Sequence, residues 1–149
     1  MAKMPQQFDA EDAVAVMGGV AASLEYMQPA LDDCIPIMQQ AVRDNFNSSA
    51  SPENSDWVER VHIGDGHPLL MDTGALLQAA TGGGAGHVSR VSHDTAEVGV
   101  DLGVIPYARA HNQGRPEVNL PQREFLGMRE ERERECAEVV ADYVVNEVF

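Results

Sequence analysis

The chain has 149 residues, of which 44% are hydrophobic and only 5% aromatic, and its formal net charge is −14 at pH 7. A chain of this length buries about two thirds of its unfolded surface, so we predict a single globular domain over residues 1–149. Phosphate contacts need a basic surface, and 10 basic residues against 24 acidic ones argue against a protein that binds free nucleic acid.

The sequence also argues against export and membrane insertion. The N-terminus MAKMPQQFDAEDA has no apolar run, so we expect no signal peptide. No stretch approaches the roughly 20 apolar residues of a membrane span, which indicates a soluble protein. We expect Cys34 and Cys136 to remain reduced and to act as small core residues.

The first part of the chain is predicted to be helical after a flexible N-terminus at residues 1–8. Apolar residues at three-to-four spacing predict a helix over residues 10–27, weakened by Gly18 and Gly19. A second helix is predicted over residues 30–46. Its apolar face comprises Leu31, Cys34, Ile35, Met38, Ala41, Val42 and Phe46.

The centre of the chain changes from helical to alternating periodicity. Composition predicts flexible loops at 47–56 and 81–86, with a short helical turn between them that Asp72 or Thr73 caps. Ala96, Val98 and Val100 then alternate strictly, which predicts an antiparallel hairpin after 87. We interpret 107–111 and 118–120 as strands or loops that border this sheet.

The C-terminal segment after Gly127 predicts an amphipathic helix. Its inward residues are expected to be Cys136, Val139, Val140, Tyr143, Val144 and Val148. N-terminal helices, a small central antiparallel sheet and a C-terminal helix together predict an α+β domain.

The sequence offers weak signals for chemistry. His62 and His67 lack the helical spacing of a zinc chelate, and TGGGAGH lacks the Lys-Ser/Thr pair of a phosphate loop, so we expect no metal and no cofactor. The best enzymatic hypothesis is a small hydrolase or metal-dependent enzyme. It places Tyr107, Arg109 and His111 on one face of a strand, with Asp101 orienting the imidazole. The structural alternative packs Tyr107 under the sheet and lets His111 hydrogen-bond a neighbouring turn.

Three motifs in order resemble a known family. They are L.DTGAL at 70–76, IPYARAHNQG at 105–114 and LPQREFLGM at 120–128. This order resembles the phage virion morphogenesis family of tail completion proteins, in which TG.L, YA..H..G and IPAR.FLG motifs precede a C-terminal helix. Trp57, in a loop rich in Ser, Pro and Asn, also resembles the family's usual tryptophan. Gln122 and Glu124 depart from the small and prolyl residues that are common there.

The resemblance implies a structural virion protein without catalysis, a tail completion or tail terminator-type component of the neck that joins tail to head. It implies a homo-oligomeric ring, with a hexamer as the candidate assembly, that contacts a head-side stopper or connector and the tail tube. DNA would pass through the lumen without specific binding. The expected locations are the virion neck and, during assembly, the host cytoplasm.

The same resemblance nominates the residues that serve as structural or subunit-interface motifs. We expect Pro106, Gly114, Pro116 and Pro121 to route an extended arm. Its arginines, Arg109, Arg115 and Arg123, are expected to bridge to acidic groups of a neighbouring subunit, and FLG is expected to supply core contacts or interface hot spots. The nominated residues are Thr73, Gly74, Leu76, Tyr107, Arg109, His111, Gly114, Pro121, Arg123, Phe125, Leu126 and Gly127. A third hypothesis is a generic acidic adaptor protein unrelated to phage.

Overall fold

The computed structural model of the chain describes residues 3–9, 27–59, 70 and 74–148. The helix predicted over 10–27 lies outside this part of the chain except for Met27, and so do the predicted caps Asp72 and Thr73. The described elements are strand β1 (Lys3–Asp9), helix α1 (Gln28–Ser48), helix α2 (Ala75–Thr81), strands β2 (His87–Val91) and β3 (Thr95–Asp101), helix α3 (Ala108–Gln113), a 3-10 turn (Pro116–Val118), and helix α4 (Glu130–Tyr143), which continues as a π-helix (Val144–Val148).

The sheet has the strand order β1-β3-β2 and is antiparallel throughout. The predicted hairpin is confirmed, and Ala96, Val98 and Val100 of β3 are all fully buried. The third strand was not predicted: the flexible N-terminus expected at 1–8 is replaced by β1, which pairs with β3 from Lys3↔Asp101 to Asp9↔Thr95. β1 lies at the edge of the sheet, where the proline of KMPQQFD is tolerated because an edge strand can lack one donor.

Helix α1 is the element around which the other helices pack. It confirms the second predicted helix and extends it by two residues at each end. Pro36 lies inside it on the exposed side, where water can satisfy the carbonyl that a proline leaves without a donor. The buried face includes every residue of the predicted apolar stripe except Ile35, which is only partly buried, and it adds Ala30 and the polar Asn45. It comprises Ala30, Leu31, Cys34, Met38, Ala41, Val42, Asn45 and Phe46.

The core consists of two clusters that α1 joins. The N-terminal half of α1 packs with β3 and α4, and this cluster includes Leu31, Val98 and Val140. The C-terminal half packs with α2, the end of β3 and the segment before α4, and that cluster includes Phe46 and Phe125. Helices thus pack on a small antiparallel sheet, and the α+β class is confirmed.

The C-terminal helix is also confirmed. Cys136, Val140 and Val144 are buried as predicted, while Val139 and Tyr143 are partly buried, and the side chain of Val148 lies outside the described part of the chain. Cys34 and Cys136 are free, buried thiols, and the Cys34 thiol donates a weak hydrogen bond to the Cys136 carbonyl at 3.8 Å. No helix in the described ranges is long and apolar enough to cross a membrane.

Two segments differ from their sequence-based description as flexible loops. In 47–56, the Ser51 amide donates to the Ser55 carbonyl and the Trp57 amide donates to the Ser49 carbonyl, both at 2.8 Å. After α2, the amides of Gly82 and Gly83 both donate to the Gln78 carbonyl. Backbone hydrogen bonds close both segments, which their polar and glycine-rich composition did not reveal.

An ion pair links α1 to α4. Arg132 Nε donates to Asp44 Oδ2 at 2.9 Å, and each side chain is about three-quarters buried. Burial works to raise the pKa of Asp44, but the hydrogen bonds from Arg132 and Gln40 and the charges of Arg132 and Arg129 outweigh it and lower the pKa. Because the ionised form is favoured in the fold, the pair contributes stability above the unfolded pKa of Asp44, and the contribution is lost as pH falls through the folded pKa.

We predict that Asp44→Asn lowers the free energy of unfolding by about 1 kcal/mol at pH 7, and that the deficit relative to the wild type shrinks as the pH falls below about 4. Urea denaturation at a series of pH values measures both effects. Asp32→Asn, an exposed position on the same helix, is the matched control and should change stability little at any pH. A deficit of constant size down to pH 2 would contradict the assignment.

Candidate functional site

The residues nominated from the sequence fall mostly in two neighbouring segments. The first is the turn after β3 together with α3, residues 102–113. The second is the non-helical segment 121–127, which we call the strap. Gly74 and Leu76 lie apart from both at the start of α2, and Thr73 lies outside the described residues.

The turn after β3 directs the chain into α3. Asp101 accepts the Gly103 amide through Oδ1 at 2.8 Å, and its carbonyl accepts the amides of Val104 and Ile105 at 3.0 and 2.9 Å. Ile105 and Ala108 are buried three residues apart. The strand considered for 107–111 is therefore wrong, because residues 108–113 form a helix. Buried apolar residues three positions apart are typical of a helix and not of a strand.

The helix changes the geometry of the enzymatic hypothesis. Tyr107 and His111 lie one turn apart, with ring centroids at 6.0 Å and an interplanar angle of 83°, whereas Arg109 is exposed. Asp101 uses its carboxylate oxygen on the Gly103 amide, and the Nδ1 atom of His111 is buried without a hydrogen-bond partner in the described structure. The strand alternation and the orienting carboxylate on which the hypothesis depended are therefore not observed.

The environment of His111 keeps its imidazole neutral near pH 7. Burial is the larger cause that lowers its pKa below 6.5, and the positive charge of Arg123 lowers it further. The His111 carbonyl accepts the Arg123 amide at 2.8 Å, so the residue is also held through its backbone.

Helix α3 holds the strap through Asn112. Its Oδ1 atom accepts the amides of both Phe125 and Leu126, at 3.0 and 3.1 Å. Its carbonyl accepts the side-chain amide of Gln122 at 3.2 Å. One asparagine thus satisfies two backbone donors of a segment that lies outside helix and sheet.

The opposite side of the strap is held by side chains from α1 and the loop after it. Asn45 Nδ2 donates to the carbonyls of Phe125 and Gly127 at 3.0 and 3.1 Å, and Trp57 Nε1 donates to the Glu124 carbonyl at 3.0 Å. In the reverse direction, the buried Arg123 donates from Nε to the Val58 carbonyl at 2.8 Å. The strap is therefore held by side chains of its own chain. Of the three arginines expected to bridge to a neighbour, Arg123 binds the Val58 carbonyl and Arg115 pairs with Glu117 of the same chain, and the bridge stays a prediction for Arg109.

Three aromatic rings lie beneath the strap. Phe46 packs against Trp57 edge-on at 5.6 Å and against Phe125 at 5.5 Å with a 45° tilt. Phe125 is fully buried and Leu126 is nearly so. Of the two expectations for FLG, the structure therefore shows core contacts within the chain.

Backbone conformation and close packing explain the glycines of the motifs. Gly114 has φ +77°, and a Cβ there would lie 2.9 Å from the Gln122 amide nitrogen. Gly127 has φ +147°, and its Cβ would collide with Pro52. Gly74, with φ +78°, is the N-cap of α2 and stands where a side-chain cap was expected. Pro121 is partly buried at the start of the strap.

An acidic cleft of about 220 Å³ lies beside the strap, between Glu53 and Glu124. Burial raises the pKa of Glu124, and the charge of Glu53 and a hydrogen bond with it raise the pKa further. In the described part of the chain, no group of three or more His, Cys, Asp or Glu side chains is placed to hold a metal ion. The raised pKa of Glu124 means that its carboxyl takes up a proton more readily than an isolated glutamate does.

Asn45 and Asn112, which each form two hydrogen bonds with the strap backbone through their side chains, were not predicted from the sequence. Asn45 carried a weak signal in the sequence, because it interrupts the predicted apolar face of α1 next to Phe46. The structure shows that Asn45 is fully buried. Asn112 carried no such signal, since an asparagine two residues before Gly114 indicates a turn and does not indicate contact with a distant segment.

We predict that Asn112→Ala lowers the free energy of unfolding by about 1–3 kcal/mol, because it leaves two strap amides without an acceptor. Asn112→Asp, which retains the acceptor oxygen, should lose less. Urea denaturation followed by tryptophan fluorescence measures both, since Trp57 bonds to the strap. Gln113→Ala, the exposed neighbour in α3, is the control, and an equal loss at both positions would show that Asn112 does not act through the strap.

The chain was compared with family models, curated proteins and solved structures. None of the three comparisons finds a match.

Proposed function

We propose that this chain is a structural virion protein of a tailed bacteriophage, a tail completion or tail terminator-type neck component that joins tail to head as a ring, with no catalytic role. The proposal originates in the three motifs that resemble that family. The observation that supports it best is the structural role of the motif residues that the structure describes. Most of them position the strap between α1 and α3 or line the core beneath it.

This arrangement suits a joint better than a catalyst. A joint must transmit force between two assemblies, and a segment held by side-chain hydrogen bonds at five backbone positions, the carbonyls of Glu124, Phe125 and Gly127 and the amides of Phe125 and Leu126, is suited to that purpose. A catalyst instead needs a reactive group with an oriented partner. Among the described candidates, His111 has a buried Nδ1 without a partner, and Asp101 is engaged by a turn amide.

Net charge supports the expected passage of DNA. With a charge of −14, a ring of such subunits would present a negative lumen unless its few cations gathered there. A negative wall repels the phosphate backbone and lets DNA slide, so the lumen is expected to be acidic. A neutral or basic lumen in the assembled ring would contradict this part of the proposal.

The partners proposed for the ring are a head-side stopper or connector on one face and the tail tube on the other. The proposed locations are the virion neck and, during assembly, the host cytoplasm.

We predict that a phage in which the gene for this chain is disrupted accumulates DNA-filled heads and complete tails that are not joined, and that a plasmid copy restores joined particles. Electron microscopy of lysates and plaque titre measure the outcome. Joined, infectious particles in the absence of the chain would contradict the proposal.

The same complementation assay separates the neck role from the enzymatic alternative. A plasmid copy with His111→Ala should still restore joined particles, since His111 is proposed to be structural. Failure of a folded His111→Ala protein to join heads and tails would favour chemistry at that side chain. Phe125 is unsuitable for this purpose, because its complete burial means that Phe125→Ala tests folding and not joining.

A further inference from the structure

A small surface before and within α3 exposes apolar side chains beside an arginine. Val104 is 48% exposed and Tyr107 is 44% exposed, and Pro106 and Arg109 are exposed with them. Residues 105 and 108, between them, are buried and fix the segment to the core. We call residues 103–109 the Tyr107 patch. Tyrosine and arginine next to apolar groups are the composition that protein interfaces favour.

Arg109 differs from the other arginines that the structure describes. The side chain of each of the others donates at least one hydrogen bond, to a carboxylate, a carbonyl or a side-chain oxygen, whereas the side chain of Arg109 forms no hydrogen bond or ion pair with any described residue. The arginines that do so are Arg43, Arg90, Arg115, Arg123, Arg129, Arg132 and Arg134. In a chain with 24 acidic residues, a guanidinium that no described group engages is available to an acidic partner.

A complementary surface exists on α4. Glu131, Glu138 and Asp142 are all exposed, and at 3.6 residues per turn they project within about 40° of one another. They lie opposite the buried side chains of Cys136 and Val140. None of the three forms an ion pair with another described residue. We call these three carboxylates the α4 stripe.

We infer that the Tyr107 patch of one copy of this chain docks on the α4 stripe of the next copy. The patch and the stripe belong to different elements, and Arg109 forms no ion pair with the stripe inside one copy. In the proposed ring, one patch and one stripe meet at each interface, so the contact is heterologous, the kind that closes into a ring when the rotation between copies allows it. This inference rests on the proposed function in that it names the subunit contact of the proposed ring.

The chemistry of the two surfaces suits the contact. A guanidinium binds carboxylates through several donors in a fixed plane, so Arg109 can engage two members of the stripe. Val104 and Tyr107 supply the apolar area that charges alone do not. Because the ion pairs form at a partly exposed surface, salt should weaken the assembly.

Charge reversal tests the contact in purified protein. We predict that Arg109→Glu, and separately a stripe variant with Glu131→Arg, Glu138→Arg and Asp142→Arg, each shift the oligomer toward monomer, with at least about a tenfold weaker association, a change of about 1.4 kcal/mol. A mixture of the two variants should assemble again, because each patch then faces a stripe of opposite charge. Sedimentation velocity at low and high salt measures the masses.

Arg115→Glu is the matched control, since it makes the same charge change at an exposed arginine that already pairs with Glu117 in its own copy. It should leave the assembly unchanged. Circular dichroism and urea denaturation establish that each variant is folded, and Glu138→Arg alone replaces the stripe variant if the latter does not fold.

The inference is overturned if the wild-type chain stays monomeric at all concentrations, if Arg109→Glu assembles as the wild type does, or if the mixture fails to recover. These outcomes are distinct from failure of the neck role. An assembly insensitive to Arg109→Glu, in a phage whose heads and tails still depend on the chain, would reject the contact and retain the role. Joined particles without the chain would reject the role itself.

Discussion

The need to satisfy a buried backbone outside helix and sheet shapes this molecule more than any other constraint. The strap at 121–127 lies on the aromatic cluster with no strand or helix to pair with, so its amides and carbonyls take partners from side chains. Asn112 supplies an acceptor from α3, and Asn45 and Trp57 supply donors from α1 and the loop that follows it. These bonds fix the direction from which the chain enters α4, and α4 in turn completes the core with α1 and β3.

The distribution of charged side chains determines the character of the molecular surface. The described arginines other than Arg109 are engaged within the chain, including Arg132, which ties α4 to α1 through Asp44. What remains on the described surface is predominantly negative, and Arg109, beside exposed apolar side chains, is the one described arginine whose side chain is unengaged. Such a distribution favours association with an acidic partner at one place and repulsion of nucleic acid elsewhere. Both properties agree with the proposed place of this chain in a ring around DNA.

Periodicity predicted the regular elements well where the pattern was long. The apolar face of α1, the alternation at Ala96, Val98 and Val100, and the inward side of α4 were all predicted and observed, because burial of one face leaves a repeat in the sequence. The segment at 107–111 was considered as a strand and forms part of a helix, because five residues carry too little periodicity to separate a strand from a helix. β1 was not predicted because its sequence is polar and it becomes a strand only by pairing with β3, which is distant in the sequence.

The sequence by itself determined the α+β class, the acidic character and the positions of α1, β2, β3 and α4. It also placed glycines in the motifs at positions where the backbone leaves no room for a side chain. Only the tertiary structure decided the roles of the motif side chains. Phe125 contacts the core, Arg123 binds a backbone carbonyl, and Tyr107 and Arg109 remain exposed. The physical reason is that a side chain's role depends on which distant backbone groups need a partner, and pairs such as Asn45 and Phe125 leave no periodic trace in the sequence.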